Sequence, residues 1–175
     1  MGRTYLLTGR PGVGKTTCLL AALAALGMPA GGFVTEEIRE RGARVGFALR
    51  TLDGRRATLA HVDRRGPPRV GKYGVSLEAL ERLGVPALRD ALTGGRLVVV
   101  DEIGKMEMAS RAFRDAVEEV LRGPGAVLGT ILAAADPWAD RVKAAPGVRV
   151  IEVTRANRDA LPAALARLVT GTAGP

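Results

Sequence analysis

The chain has 175 residues, a formal net charge of +8 and a single cysteine. This length fits one domain, residues 1–175, which can bury a core without disulfides, and the lone cysteine excludes an internal disulfide. No stretch has the length and apolar composition of a membrane span or the layout of a signal peptide, so we expect a cytoplasmic protein without a membrane partner. The sequence leaves the oligomeric state open, with a monomer slightly favoured. The basic residues are scattered along the chain, which leaves nucleic acid as an alternative partner only.

A glycine-rich loop follows the first predicted strand, residues 4–8, and satisfies the pattern G-x-x-x-x-G-K-[ST]. Its glycines permit a turn in which successive backbone N–H groups face a phosphate. The predicted helix over residues 15–26 then adds the positive end of its dipole. The residues predicted to bind a nucleotide are Gly9, Arg10, Pro11, Gly12, Val13, Gly14, Lys15, Thr16 and Thr17.

Two side chains of this loop have predicted chemical roles. Lys15 is expected to contact the β- and γ-phosphate oxygens as a point charge, and we count it as catalytic. The Thr16 hydroxyl is expected to occupy one coordination position of Mg²⁺ beside those phosphates. The loop therefore predicts a magnesium–nucleoside triphosphate site.

The next part of the chain is rich in predicted β-structure. A second strand over residues 31–35 is followed by segments 37–40 and 44–51, which flank a glycine turn as in an antiparallel hairpin. Segment 63–72 consists mainly of arginine, glycine and proline, and predicts an exposed loop whose basic residues close over phosphates or are simply solvated.

Helices and strands alternate through the rest of the chain. Residues 97–100 form an uninterrupted apolar run that is typical of a strand buried on both faces. The other predicted elements are helices over 76–83, 85–92, 110–122, from 136, and 158–169, with strands over 126–131 and 148–153. This alternation predicts an α/β fold with a doubly wound, mainly parallel sheet and an antiparallel β-hairpin excursion after strand 2.

Two adjacent carboxylates follow the apolar run. Asp101 is expected at the carboxyl end of a buried strand, where ligands of open α/β sheets bind, and is predicted to hold Mg²⁺ together with Thr16. Glu102 would face the γ-phosphate and act as the general base for a water molecule. Lys105 is a third catalytic candidate, either stabilising charge on the γ-phosphate or remaining a solvated lysine.

Three other features have two open interpretations each. Thr130 closes a strand and could sense the γ-phosphate or only bond to backbone. Glu36 and Glu37 could approach the substrate or form ion pairs within the hairpin. Asn157 and Arg158 could lie near the base or ribose, or be a helix cap and a solvated arginine.

Several strings together carry a resemblance that spans nearly the whole chain. Besides the loop, they are GFVTEEIR at 32–39, VGKY at 70–73, DEIGKME at 101–107 and NRD at 157–159. The chain resembles the thermophilic-type nucleoside triphosphatase family, which includes the cancer-related nucleoside triphosphatase of animals. The resemblance implies a RecA-like P-loop core in which the strand ending at Thr130 separates the Asp101 strand from the Tyr5 strand. It also implies Mg²⁺-dependent hydrolysis of ATP, GTP and other triphosphates to diphosphate and phosphate, with broad base selectivity.

Two alternatives stay open from the residues alone. Chain length, phosphate loop and acidic residues also fit a nucleoside or nucleotide kinase, although a paired Asp-Glu favours hydrolysis over transfer. The net positive charge also fits a nucleic-acid-dependent ATPase or a regulatory nucleotide switch.

Overall fold

The computed structural model describes residues 3–171, so both ends of the predicted domain 1–175 lie outside the described residues. A nine-stranded sheet forms its centre. The strands are β1 Thr4–Thr8, β2 Ala30–Glu40, β3 Ala43–Thr51, β4 Arg56–His61, β5 Arg69–Val70, β6 Tyr73–Val75, β7 Leu97–Ile103, β8 Val127–Ile131 and β9 Val148–Glu152. The helices are α1 Lys15–Leu26, α2 Leu77–Ala79, α3 Val85–Thr93, α4 Arg111–Arg122, α5 Pro137–Lys143 and α6 Leu161–Thr170. A π-helical segment, Leu80–Gly84, joins α2 to α3, and a 3₁₀ turn spans Glu107–Ala109.

The sheet has a parallel and an antiparallel half. Its strand order is β5-β6-β4-β3-β2-β7-β8-β1-β9. Neighbours from β2 to β9 in this order run parallel, whereas those from β5 to β2 run antiparallel. Strand β8 lies between β1 and β7, as the resemblance implied. The carboxyl ends of β1, β7 and β8 therefore meet at one edge, where ligands of such sheets bind.

Helices cover both faces of the parallel half because its strands are apolar on both sides. Alternate residues of β1 enter different cores: Leu6 packs in one, and Tyr5 and Leu7 in the other. Helices α1 and α6 cover the core that contains Tyr5, and α3, α4 and α5 contribute to the core that contains Leu6. The predicted doubly wound α/β fold is confirmed.

The excursion after β2 contains the predicted hairpin, a strand, β4, at the apolar run that the sequence places over residues 57–62, and the additional β5–β6 hairpin. Strand β2 runs without interruption to the tight turn at Arg41-Gly42, where both residues have positive φ (46° and 80°), and β3 returns from it. The sequence predicts an exposed loop over residues 63–72, but part of this segment is a strand. Val70 packs against the core and pairs with Tyr73 in the small β5–β6 hairpin. One apolar residue is enough to anchor this basic segment to the sheet.

Two of the predicted helices begin at a capping side chain, and one predicted helix start is wrong. The Ser110 hydroxyl accepts from Phe113 N at 3.1 Å, and Asp136 Oδ1 accepts from Trp138 N and Ala139 N, both at 2.9 Å. Helix α6 begins at Leu161 rather than at residue 158. The reason is that Asn157 bonds within the preceding loop, donating to Glu152 O and accepting from Thr154 N, each at 2.8 Å.

Candidate active site

The glycine-rich loop joins β1 to α1 and depends on backbone conformations that other residues rarely adopt. Gly9 has a φ of 145°, and a Cβ there would lie 2.7 Å from Val153 O. Gly14, with a φ of 109°, precedes the first turn of α1 and has no side chain that could cap it. The first N–H groups of α1 are therefore left for an anion, which also meets the positive end of the helix dipole.

Lys15 is the first residue of α1, and its half-buried side chain folds across the loop. Its Nζ donates to Gly9 O at 3.0 Å and lies 3.5 Å from Arg10 O. These carbonyl contacts hold the ammonium group over the mouth of the loop. The position suits contact with phosphate oxygens.

Asp101 lies near the end of β7 and is 1% exposed. Thr16 Oγ1 donates to its Oδ2 at 3.0 Å, and Thr130 Oγ1 donates to its Oδ1 at 2.5 Å. Burial raises the pKa of Asp101, and the hydroxyl hydrogen bonds from Thr130 and Thr16 oppose that rise. A buried carboxylate without a cationic partner of its own is a place where a cation would be favourable.

A bulge in β7 brings Asp101 and Glu102 toward the same cleft. Val100 pairs with Gly129, but Ile103 pairs with Ile131, so two residues of β7 stand opposite Thr130 alone. Glu102 is half-buried, and burial raises its pKa; Lys15 opposes that rise and Asp101 adds to it. A raised pKa makes the Glu102 carboxylate a better proton acceptor near neutral pH.

These groups line one cleft of about 880 Å³ at the carboxyl edge of the sheet. Of the predicted site residues, the cleft lining includes Gly9, Pro11, Gly12, Gly14, Lys15, Thr16, Thr17, Asp101, Glu102 and Lys105. The other two face elsewhere: Arg10 is exposed, and Val13 packs against the core beneath α1. The volume lies within the usual range of small-molecule sites.

The excursion supplies cleft residues that the sequence analysis missed. Arg44 and Phe47 of β3 both line the cleft. In a regular strand these two residues would point to opposite faces of the sheet. Here the pairing of β2 with β3 shifts by one residue between Ile38 and Arg39, which interrupts the regular alternation of side chains between them. No local sequence signal marks that shift.

Glu36 and Glu37 line the cleft and also form ion pairs within the excursion. Glu36 Oε1 lies 2.5 Å from Arg50 Nε, and Glu37 contacts Arg39 at 2.7 Å and Arg44 at 3.0 Å. Hydrogen bonds from Arg44 and then Arg39 lower the pKa of Glu37. Glu36 and Glu37 are thus already paired with arginines, whereas Glu102 forms no ion pair with any of residues 3–171.

Glu107, at the start of the 3₁₀ turn, is a further buried carboxyl group of the cleft. It is 5% exposed, and burial raises its pKa from 4.5 to about 8. Hydrogen bonds from the backbone of Glu107 itself and of Gly104 oppose that rise, whereas the charges of Glu102 and Asp101 add to it. Because the pKa of Glu107 is higher in the folded protein than in the unfolded chain, Glu107 contributes stability that depends on pH. This contribution is fully present below pH 4.5 and is lost as the pH rises toward 8. Ionised Glu107 therefore destabilises the fold above that range.

We expect Glu107→Gln to stabilise the nucleotide-free protein at alkaline pH, by up to about 5 kcal/mol relative to its effect at pH 4. Gln keeps the shape of the side chain and cannot ionise. Urea unfolding at a series of pH values measures the difference in free energy of unfolding between variant and wild type. A difference that stays constant with pH would contradict the expectation.

The parallel sheet, the glycine-rich loop at its carboxyl edge and the Thr16–Asp101 contact define a P-loop nucleotide-binding protein. A family model described as NTPase matches residues 4–166. The chain belongs to this NTPase family, which confirms the resemblance seen in the sequence. Within the described residues 3–171, no helix combines the length and apolar character needed to cross a membrane.

Relatives and solved structures agree with that assignment. The chain is 51% identical over 156 residues to the nucleoside-triphosphatase THEP1 of Thermotoga petrophila, covering 89% of this chain and 87% of that one. It is 43% identical over 177 residues to the human cancer-related nucleoside-triphosphatase, covering 92% and 93%. The crystal structure of THEP1 from Aquifex aeolicus superposes with a TM-score of 0.86 at 35% identity, covering 95% of this chain and 98% of that one.

Proposed function

We propose that this protein hydrolyses ATP, GTP and other nucleoside triphosphates to diphosphate and phosphate, with Mg²⁺ as cofactor and with broad base selectivity. The observation that carries the proposal is the contact between Thr16 of the phosphate loop and buried Asp101, directly beside Glu102. It joins a phosphate-binding element, a metal-binding pair and a carboxylate base in one cleft. That set of groups is what hydrolysis requires.

The donor set at the loop suits magnesium. The Thr16 hydroxyl and the Asp101 carboxylate are hard oxygen ligands, and Mg²⁺ bound to proteins usually completes its shell with phosphate oxygens and water. Bound there, Mg²⁺ would neutralise charge on the β- and γ-phosphates. Thr130 holds the Asp101 carboxylate from the other side and so fixes its orientation.

The protein's own groups divide the remaining work. The loop N–H groups and Lys15 bind the phosphates, while Glu102 orients a water molecule and accepts its proton as that water attacks the γ-phosphorus. Lys105 is exposed at the cleft lining, where its ammonium group can balance charge on the departing phosphate. Attack by water releases phosphate and leaves the diphosphate on the loop.

Loose base selectivity follows from where the contacts lie. The groups assigned above all act on phosphates or on water. Arg158 lies beside the loop, with Nη1 3.4 Å from Val13 O, and its planar guanidinium could stack on a base. Stacking of this kind accepts every base because each has a π-face. Asn157 is committed to loop hydrogen bonds, so its side chain is a structural element.

A phosphate-release assay tests this function. With Mg²⁺ and no acceptor, we expect release from ATP, GTP, CTP and UTP at rates within about tenfold of one another, since no base-specific hydrogen bond is assigned. Removing the metal with EDTA should abolish release, and adding Mg²⁺ back should restore it. Equal rates with and without the metal would contradict the magnesium assignment.

Two additions to the same assay separate the alternatives. Phosphate transfer that begins only when a nucleoside or nucleotide acceptor is added would make the protein a kinase. Release that depends on RNA or DNA, and falls steeply with salt, would make it a nucleic-acid-dependent ATPase. The cytoplasmic location and the monomeric state stay predictions from composition.

A further inference from the structure

Glu107 is a buried acidic residue that the proposed reaction leaves without a role. It is 5% exposed, yet it belongs to the cleft lining together with Lys15 and Glu102. Within residues 3–171 no arginine, lysine or histidine forms an ion pair with it. A carboxyl group in such a place is costly to ionise, so a packing role alone would be served better by an apolar side chain.

The geometry around Gly104 shows which group Glu107 faces. A Cβ on Gly104 would lie 2.7 Å from Glu102 Oε1 and 3.0 Å from Glu107 Oε2. The two carboxyl groups therefore approach the same small volume beside the glycine, from the end of β7 and from the 3₁₀ turn. A side chain at position 104 would press on both carboxyl groups.

We propose that Glu107 is a positioning residue for Glu102: in its protonated form its carboxyl group donates a hydrogen bond that orients the Glu102 carboxylate toward the attacking water. The inference rests on the proposed role of Glu102 as the general base. Glu107 itself does not touch the water or the nucleotide.

The chemistry of the pair supports this arrangement. Two carboxylates beside each other in a desolvated cleft repel, and one proton held by the more buried group removes the repulsion and supplies a donor. Glu107 is the more buried of the two, and burial together with Glu102 and Asp101 favours its neutral form. Glu102 then keeps the charge that a base needs, with one of its oxygens fixed and the other left for water.

The first test compares two replacements of Glu107 in the full chain. Glu107→Gln keeps the size and the donor, and we expect kcat within about threefold of wild type. Glu107→Met keeps the approximate size without a donor, and we expect kcat to fall about 10²-fold with KM unchanged, because misplacement of a catalytic group has effects of that order. Glu78→Gln, on the exposed face of α2, is the matched control.

The second test is the infrared spectrum of the nucleotide-free protein at neutral pH, which does not depend on whether the Met variant folds. Wild type and Glu102→Gln should both show the C=O stretch of a protonated carboxyl group, and Glu107→Gln should lack it. Absence of that band from wild type, wild-type kcat in Glu107→Met, or loss of turnover in Glu107→Gln would each overturn the inference. If Glu102→Gln retains full turnover, the proposed role of Glu102 as the general base fails, whatever the spectrum shows.

Discussion

Replacing Glu102 with Gln is expected to lower the rate of phosphate release by about 10³-fold, within the range by which a positioned general base accelerates a reaction. Gln has nearly the same shape but cannot take a proton from water. The loop and the Thr16–Asp101 pair are untouched, so the dissociation constant for Mg–ATP should change by less than about threefold. Single-turnover hydrolysis and equilibrium binding of a fluorescent nucleotide measure the two quantities separately.

Glu36→Gln is the matched control for this variant. Glu36 lines the same cleft, but its carboxylate is already paired with Arg50 and Arg56. We expect its turnover to stay within about threefold of wild type, because half-exposed ion pairs contribute little. Wild-type turnover in Glu102→Gln, or loss of turnover in Glu36→Gln instead, would show that the base had been assigned to the wrong carboxylate.

The parts of the site that were predicted from sequence are those set by neighbouring residues. The first strand, the glycine-rich loop and α1 follow one another within a short segment, and both β1 and α1 have the bounds that the sequence predicts. Caps such as Ser110 also act within a few residues of themselves. Local hydrogen bonds and side-chain periodicity are sufficient for such elements.

The parts that could not be predicted depend on pairing between distant strands. In a regular strand Asp101 and Glu102 would point to opposite faces, whereas here, where the register of β7 against β8 shifts, both line the cleft. The cleft positions of Arg44 and Phe47 depend in the same way on the register shift between β2 and β3. A bulge depends on how two strands that are distant in sequence pair with each other, so the residue pattern of either strand alone does not predict it.

The role of Thr130 shows how such pairing resolves an open alternative. From sequence it was a γ-phosphate sensor or a backbone partner, and it proves to donate to Asp101 from the neighbouring strand. Glu107 is similar: it is buried in the 3₁₀ turn after β7, and the glycine at position 104 leaves space for its carboxyl group and for that of Glu102. In the proposed mechanism both residues act through a neighbouring side chain, Asp101 for Thr130 and Glu102 for Glu107, and neither contact could be predicted before the strands were paired.

Lys15→Met is expected to lower kcat/KM for Mg–ATP about 10³-fold, because it removes a preorganised cation aimed at charge that develops on the phosphates. The loop backbone should keep its shape, since Gly9 and Gly14 set it, and Met fills the space of the lysine stem. Binding should weaken as well as turnover, because Lys15 contacts the ground state too. This combination distinguishes Lys15→Met from Glu102→Gln, in which turnover alone falls.

Two other lysines complete the comparison. Lys143→Met is the control: Lys143 lies on α5, where it forms an ion pair with Asp140. We expect this variant to keep kcat/KM within about twofold of wild type. Lys105→Met tests the other proposed cation: if Lys105 acts only on charge of the departing phosphate, kcat falls about tenfold and nucleotide binding is unchanged. Unchanged hydrolysis in Lys105→Met would leave Lys105 a solvated lysine, and unchanged hydrolysis in Lys15→Met would remove the lysine of the phosphate loop from the mechanism.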